Sequence, residues 1–491
     1  MDSHDESTAT GAVTQLTSRQ RSYALLVCCV AVLLIGIDLT AVNVALPTIG
    51  REFHANVSSL SWTIDAYALT LASLLMLSSS TADKVGRKRV FQIGLVTFMA
   101  GSLLCALSPN LAWLVVFRVI QGIGGSMLTP VAISIIANIY PNSAERGRAL
   151  GIWSGVTGLA LALGPVVGGA LVVSSLGWRW IFVINLPIGF VALFMARRFI
   201  PESRSEHPRR LDALGQILVI ITLSSLIFGI IEGPRFGWAS LEIVACFVVT
   251  VLGVASIMYY EPRRFQPLLE LRFFKGVPFT SANVIAITSF AALASFLLVN
   301  SLYLQEGRHF SPLHAGLLIL PLAVASIIFG PINGRILARF GARVSFVIAG
   351  MALTVAGLML TRESPTTSVW WLLSAYGFMG IGNSAVGAPI THTAVAGMPA
   401  AQLGVASGIN STTRQVGSAL GVAIAGATLA SATHGDFASS THMAWWINTG
   451  YGIMVLALGI VSTTEWARST ARRINFDEPP GPRRHAPSTS D

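Results

Sequence analysis

Four charged side chains lie where charge is costly. Asp38, Asp65, Arg118 and Arg414 each fall inside a long apolar run rather than between runs. Burial raises a carboxyl pKa and a neighbouring guanidinium lowers it, so a carboxyl under both influences can titrate at working pH. These residue types point to proton binding and charge pairing. Bond cleavage has no support: the chain lacks a GxxxxGKS or GxxxxGKT phosphate loop, GxSxG, HExxH, and a GxGxxG in a strand–turn–helix setting. No enzyme, no cofactor and no ATP-driven step is therefore expected. Cys28, Cys29, Cys105 and Cys246 also lie in apolar runs without CxxC or CxxxH spacing, which indicates neither a disulfide framework nor a metal site.

The runs follow from composition. Hydrophobic residues make up 53% of the 491 and charged residues only 11%, with a mean hydropathy of +0.67. A soluble domain carries about a quarter charged residues, so this chain cannot coat a water-facing surface. Disorder requires the opposite bias. What remains is a membrane protein. The net charge of +10 would suit nucleic acid, but a chain so poor in charge is not expected to bind it.

A spanning helix needs roughly 20 apolar residues. Fourteen stretches qualify: 23–46, 60–80, 90–108, 111–138, 150–174, 181–200, 212–232, 240–260, 279–304, 313–333, 344–361, 369–391, 403–430 and 443–464. Barrel strands are about ten residues long and alternate; these runs do neither. The polar first twenty residues and the long first run argue for a retained helix over a cleaved signal. With the N-terminus inside, the inner loops and ends hold 25 Lys and Arg. The outer loops hold five, Arg51, Arg179, Arg235, Arg308 and Arg362. That bias puts both termini in the cytoplasm. The mixed stretch 265–274 reads as a short interfacial helix or as a loop at the membrane surface.

Depth groups three of the four charges. At a rise of 1.5 Å per residue, Asp38 lies about 12 Å below the outer end of its helix, Asp65 roughly 8 Å below Leu60, and Arg118 about 10 Å below Leu111. One outer layer would hold all three as a polar network, with Asp38 either a proton site or a locked ion pair. Asp65, nearer water, either binds protons or solvates the helix mouth. Gln121 shares a helix face with Arg118. Asn43, Asn300, Tyr303, Asn383 and Arg414 are candidate cavity polars, although helix–helix hydrogen bonds account for Asn300, Tyr303 and Asn383 equally well. Trp62 and Tyr67 could stack on an aromatic or cationic solute, Trp62 alternatively serving as an interfacial anchor.

An internal repeat connects the halves. The loop SSTADKVGRKR (79–89) and the loop GRILARFGAR (334–343) superpose on a shift of 255, matching Gly341 with Gly86 and Arg339 with Lys84. Duplicated halves are how many transporters are built. DKVGRK (83–88) resembles the loop signature of the major facilitator superfamily, with Ser79 where that signature usually has Gly. IDLTAVNVALP (37–47), RVIQGIGG (118–125), GLALALGPVVGG (158–169) and WRWIFVINLPIG (178–189) are similar to helix motifs of its fourteen-span drug:proton antiporters.

That resemblance implies an all-α major facilitator fold of six, two and six spans. Its parts would be a cytoplasmic leader (1–22), an N-terminal bundle (23–200), linker loops with two extra helices (201–278), a C-terminal bundle (279–464) and a flexible cytoplasmic tail (465–491). It implies alternating access in the cell membrane and export of small apolar drugs coupled to proton entry, with proton coupling at Asp38, Asp65 and Arg118. One endogenous metabolite or lipid-like solute is the alternative cargo. Asp83, Lys84, Gly86, Arg87 and Lys88 would latch one conformation, or merely orient the chain. Gly164, Pro165, Gly168 and Gly169 would form the antiporter hinge, where small residues let helices approach closely. Protons, a small molecule and lipid are the expected partners, and the chain is expected to be a monomer.

Overall fold

The computed structural model describes residues 17–175, 177–204, 212–264, 270–394, 403–430 and 437–473. Most of the leader, the tail beyond 473 and residues 265–269 of the mixed stretch lie outside them. Helices dominate. α1 (Ser18–Phe53), α2 (Val57–Val85), α3 (Arg87–Ala106), α4 (Leu111–Ile139) and α5 (Ser143–Val172) are followed by the short α6 (Trp180–Val183) and by α7 (Asn185–Phe199). The inserted pair is α8 (Ala213–Phe236) and α9 (Leu241–Tyr260). The second half comprises α10 (Val277–Leu302) with a π turn at Tyr303–Gly307, then α11 (Pro312–Leu318) and α12 (Leu320–Phe340). It continues with α13 (Ala342–Leu360), α14 (Val369–Ala394), α15 (Leu403–Ala430), α16 (Phe437–Val461) and α17 (Glu465–Arg472).

Caps carry the helices past the apolar runs. Thr17 closes a capping box with Gln20, so α1 begins before Tyr23. Asn56, Asn110, Asp212, Ser240 and Ser311 accept first-turn N–H groups in the same way. Among the described residues, twelve segments are long and apolar enough to cross a membrane: α1 to α5, the α6–α7 run, α8, α9, α10, the α11–α12 run, α13 and α16. α14 and α15 are as long, at 26 and 28 residues. Their Gly, Ser, Thr and Asn dilute the hydropathy below that of the twelve.

Two stretches take a definite form. The described part of the mixed stretch, read as either an interfacial helix or a surface loop, holds a short 3₁₀ helix, Leu271–Lys275, whose Phe273 is buried against Phe279. The start of the tail is the helix α17: Thr464 caps it, Ala467 is buried, and the Thr470 hydroxyl accepts from the Val277 N–H at 2.9 Å; the tail beyond 473 lies outside the described residues.

The repeat is structural. A shift of 255 carries α2 onto 312–340 and α3 onto 342–361, where the chain folds as α11–α12 and α13. Gly86 and Gly341 have φ of +127° and +78°, a region open mainly to glycine, and each ends one helix and starts the next. Helix pairing repeats as well: α1 on α5 matches α10 on α15, and α3 on α4 matches α13 on α14. The halves meet where α2 packs on α15, α11 and α12 on α5, and α1 on α10.

That seam is shut at the end away from the basic loops. The Ser301 hydroxyl donates to the Asn43 carbonyl at 2.6 Å, Gln305 Nε2 to the Val44 carbonyl at 2.9 Å, and Arg51 pairs with Glu306 at 3.3 Å. Toward the basic end the helices part: Gly147, Gly151, Gly155 and Gly158 of α5, and Gly330 and Gly334 of α12, face open space. The extra pair lies outside the seam. α8 touches both α2 and α15, whereas α9 packs on α8 and leaves its other faces bare.

The two glycine turns differ in surroundings. A Cβ on Gly86 would lie 2.6 Å from the Glu202 carboxylate, while one on Gly341 meets nothing. Both positive-φ sites strain any side chain, so Gly86→Ala and Gly341→Ala are each expected to cost about 1–3 kcal/mol. Gly86→Ala, which also meets Glu202, is expected to cost the more, read as the difference in thermal unfolding of the detergent-purified protein.

Candidate functional site

The N-terminal bundle holds a buried ion pair. Asp38 of α1 and Arg118 of α4 are both fully buried, and Arg118 Nη1 donates to Asp38 Oδ2 at 2.6 Å. Gln121 Nε2 donates to Asp38 Oδ1 at 2.9 Å and Asn185 Nδ2 to the same oxygen at 3.4 Å. Arg118 also donates to Gln121 Oε1 at 2.7 Å and, through Nε, to the Thr63 carbonyl at 3.0 Å. Its guanidinium carbon lies 4.1 Å from the Tyr67 ring centroid and 5.7 Å from that of Phe182. Ser102 of α3 closes the network, accepting from Gln121 Nε2 at 3.1 Å and Asn185 Nδ2 at 2.9 Å. Both protons of each amide are thus used, which buried donors require.

Asp65 stands apart. It is fully buried, yet neither carboxyl oxygen has a hydrogen-bond partner among the described residues. By helical spacing it belongs to the stripe Ser61, Asp65, Ala68 and Met76 on α2. Ser61 lies where a Cβ on Gly426 would be, Ala68 clusters with Ala419 and Ala423, and Met76 Cε is 4.0 Å from a Cβ on Gly408. Those partners are on α15, with Ile227 and Ile231 of α8 joining the Ala68 cluster, so the stripe, Asp65 included, faces the seam between the halves.

The other expected residues disperse. Asn43 lies in the shut end of the seam, its Nδ2 on the Leu39 carbonyl at 3.1 Å. Trp62 donates to Glu232 of α8 at 3.0 Å, and Tyr67 is buried beneath Arg118. Asn300 accepts from the Tyr376 hydroxyl at 2.6 Å and Tyr303 donates to the Ser364 carbonyl at 2.7 Å, both inside the C-terminal bundle. Asn383 is half-buried on α14. Arg414 is half-buried too and reaches from α15 to Thr391 Oγ1 of α14 at 2.9 Å.

The basic loop is held within its own half. Asp83 pairs with Arg87 at 2.9 Å, Lys88 Nζ donates to the Arg197 carbonyl at 2.8 Å, and Lys84 is exposed. Glu202 accepts from the Lys88 N–H at 3.1 Å and lies 3.7 Å from Arg89. Gly164 and Gly168 press on Thr40 and Ala41, binding α5 to α1, while Pro165 and Gly169 meet Gly316 and Pro312 of α11 across the seam.

Several residues were not visible in the pattern. Asn185 lies inside a quoted motif and Ser102 in an apolar run, neither distinguished by charge. Glu363 has the least expected surroundings: buried between α13 and α14, its Oε1 accepts from Thr441 at 2.7 Å and Trp445 at 2.6 Å, while Oε2 has no partner. Burial pushes its carboxyl up to about 8, against the pull of those two donors and of Arg308.

Comparison with known proteins adds an independent line. A family model described as Major Facilitator Superfamily matches residues 28–422 and again 282–483. The chain is 35% identical over 397 residues to Multidrug resistance protein Stp of Mycobacterium tuberculosis, covering 81% of this chain and 74% of that protein. It is 32% identical over 438 residues to the Tetracenomycin C resistance and export protein of Streptomyces glaucescens, covering 88% and 80%. Identity to the Methylenomycin A resistance protein of Streptomyces coelicolor is 33% over 400 residues, covering 82% and 84%. Among solved structures, a bacterial homologue of the human lysosomal transporter Spinster, inward-facing and unoccupied, superposes with a TM-score of 0.63 at 18% identity, over 93% of this chain and 98% of that one. A bacterial homologue of the human drug peptide transporters superposes with a TM-score of 0.64 at 14% identity, over 93% and 100%.

Removing one member of a buried pair leaves a charge without an answer, at about 3–5 kcal/mol. Arg118→Leu is expected to lower thermal stability by that order, and adding Asp38→Asn to recover much of it. A double-mutant cycle with no coupling would sink the pairing.

Glu363 gives a pH signature. Because its carboxyl is raised in the fold, its contribution to stability is complete below its ordinary value of 4.5 and is lost as pH rises toward about 8. Unfolding curves across that window should flatten in Glu363→Gln.

Proposed function

The chain belongs to the Major Facilitator Superfamily, and from that premise we propose that this multi-pass membrane transporter is a proton-coupled antiporter exporting small, largely apolar drugs or antibiotics. The names of its relatives, a multidrug resistance protein and two antibiotic resistance proteins, support the cargo class. It is a transporter and not an enzyme. The reading takes α14 and α15 as spans too, fourteen in all. It places both termini in the cytoplasm of a cell-membrane protein that works as a monomer, on the proton gradient and without ATP.

Asp65 carries the coupling argument. Its carboxyl is buried without a donor on the helix that lines the seam. An ionised carboxylate there would keep its full desolvation cost with nothing to offset it. The shut seam therefore suits the neutral acid, and ionisation favours a seam open to water. Cargo enters from the basic, cytoplasmic side, and Asp65 gives up its proton into the same cavity. The charged seam opens at the far end and releases the cargo, and a proton from outside lets it shut again. Asp38, already satisfied by three donors, holds Arg118 in place through the cycle.

Dye and antibiotic efflux in a pump-deleted host, with and without a protonophore, tests this. Gradient-driven efflux is expected to vanish with the protonophore and to fall about tenfold or more in Asp65→Asn, the change that about 1.4 kcal/mol produces. Uncoupler-insensitive efflux would remove antiport, and normal efflux by Asp65→Asn would remove Asp65 from it.

A further inference from the structure

The two intramembrane guanidinium groups are treated differently by the fold. Arg118 is answered by Asp38. Arg414 is answered by no carboxylate among the described residues: Nε donates to Asn410 Oδ1 at 3.1 Å, and Nη2 to the Gly387 carbonyl at 3.2 Å and Thr391 Oγ1 at 2.9 Å. All three partners are neutral, and Nη1 has none among the described residues. A full positive charge inside a spanning segment without a counter-ion is costly and is usually kept for a purpose.

The surroundings are built for something that accepts hydrogen bonds. Asn410 is only 2% exposed, and its Nδ2 has no partner while its Oδ1 is occupied by Arg414. An unfilled amide donor therefore stands beside an unfilled guanidinium donor. Space lies beside the guanidinium: a Cβ on Gly387, whose carbonyl accepts from Nη2, would meet nothing within 4 Å, and Ala388 and Thr391 on the same helix are exposed. Phe290 presents an aromatic face 5.4 Å from the guanidinium carbon. Two neighbouring unfilled donors, a net positive charge and an aromatic wall match an oxyanion carried on an apolar frame.

We propose that Arg414 and Asn410 anchor an acidic oxygen of the transported molecule, a carboxylate or phenolate, so that the site takes organic anions in preference to cations of like shape. This deepens the export reading and rests on it only for the direction of movement. The same donors fit one other source of an oxyanion, an anionic lipid headgroup, which the experiment separates.

The probes are fluorescein, an organic anion, and rhodamine 6G, a cation on the same xanthene frame with its carboxyl esterified. Binding is followed by fluorescence anisotropy, with the full chain in nanodiscs of neutral phosphatidylcholine and no proton gradient. Fluorescein should bind at least about tenfold more tightly than rhodamine 6G, a gap of about 1.4 kcal/mol. Arg414→Gln should erase the gap by weakening fluorescein alone, and Arg414→Lys, which keeps the charge, should retain part of it. Equal affinities, tighter rhodamine 6G, no fluorescein binding, or an Arg414→Gln protein that melts normally and still prefers fluorescein would each overturn the proposal. So would loss of fluorescein binding when phosphatidylglycerol replaces phosphatidylcholine, since the lipid would then be the occupant. Should Arg414→Gln fail to fold, the wild-type preference and Arg414→Lys still decide. A charge-blind result strikes this subsite alone, whereas gradient-insensitive efflux strikes antiport alone.

Discussion

The contact between Asp38 and Arg118 sets the terms for the rest of the N-terminal bundle. A carboxylate and a guanidinium are held in hydrocarbon at least cost when paired and hydrogen-bonded. Partnering them uses α4 again and recruits three further helices, leaving Arg118 Nη2 without a partner among the described residues. α3 supplies Ser102, α4 supplies Gln121, α7 supplies Asn185, and α2 supplies the Thr63 carbonyl and the Tyr67 ring. Helices that would otherwise hold one another only by van der Waals packing, since lipid is as apolar as their side chains, are thereby fixed in register. Glycines do the complementary work. Gly164 and Gly168 bring α5 against Thr40 and Ala41, a turn or less along α1 from Asp38.

The duplication shows how narrowly this arrangement is confined. The shift of 255 carries α2 and α3 onto their counterparts and puts a positive-φ glycine at 86 and 341. The same shift takes Asp38 to Leu293, Asp65 to Leu320 and Arg118 to Leu373. Scaffold and turns are shared between the halves; the acids are not. The C-terminal bundle carries its own charge, Arg414, on different terms, and buries its acid, Glu363, in the turn after α13 against Thr441 and Trp445 of α16.

Much of this was legible because charge is so scarce in the chain. An Asp or Arg inside an apolar run is conspicuous, and helix rise alone put Asp38 and Arg118 in one layer, where they meet at 2.6 Å. The same arithmetic put Asp65 in that layer but could not give its direction. Successive residues turn by about 100°, so Thr63 and Tyr67 face α4 while Asp65 looks toward α15. Rise gives depth; only packing gives azimuth. Glu202 and Glu363 were invisible for another reason. Both lie outside the apolar runs, where an acid normally meets water, and their burial or pairing comes from α3, α16 and the ends of helices distant in sequence. The helix at 465–472 depends likewise on a hydroxyl reaching back to residue 277.

Every partner of the Asp38–Arg118 pair belongs to the N-terminal bundle. If the two halves rock as rigid bodies, no distance inside that network changes, and the pair travels as a passenger with no degree of freedom tied to the motion. The stripe on α2 is different, because its neighbours on α15 belong to the other body. In mechanical terms the pair is a weld and the stripe is a bearing surface, and only a bearing surface feels which way the machine has turned.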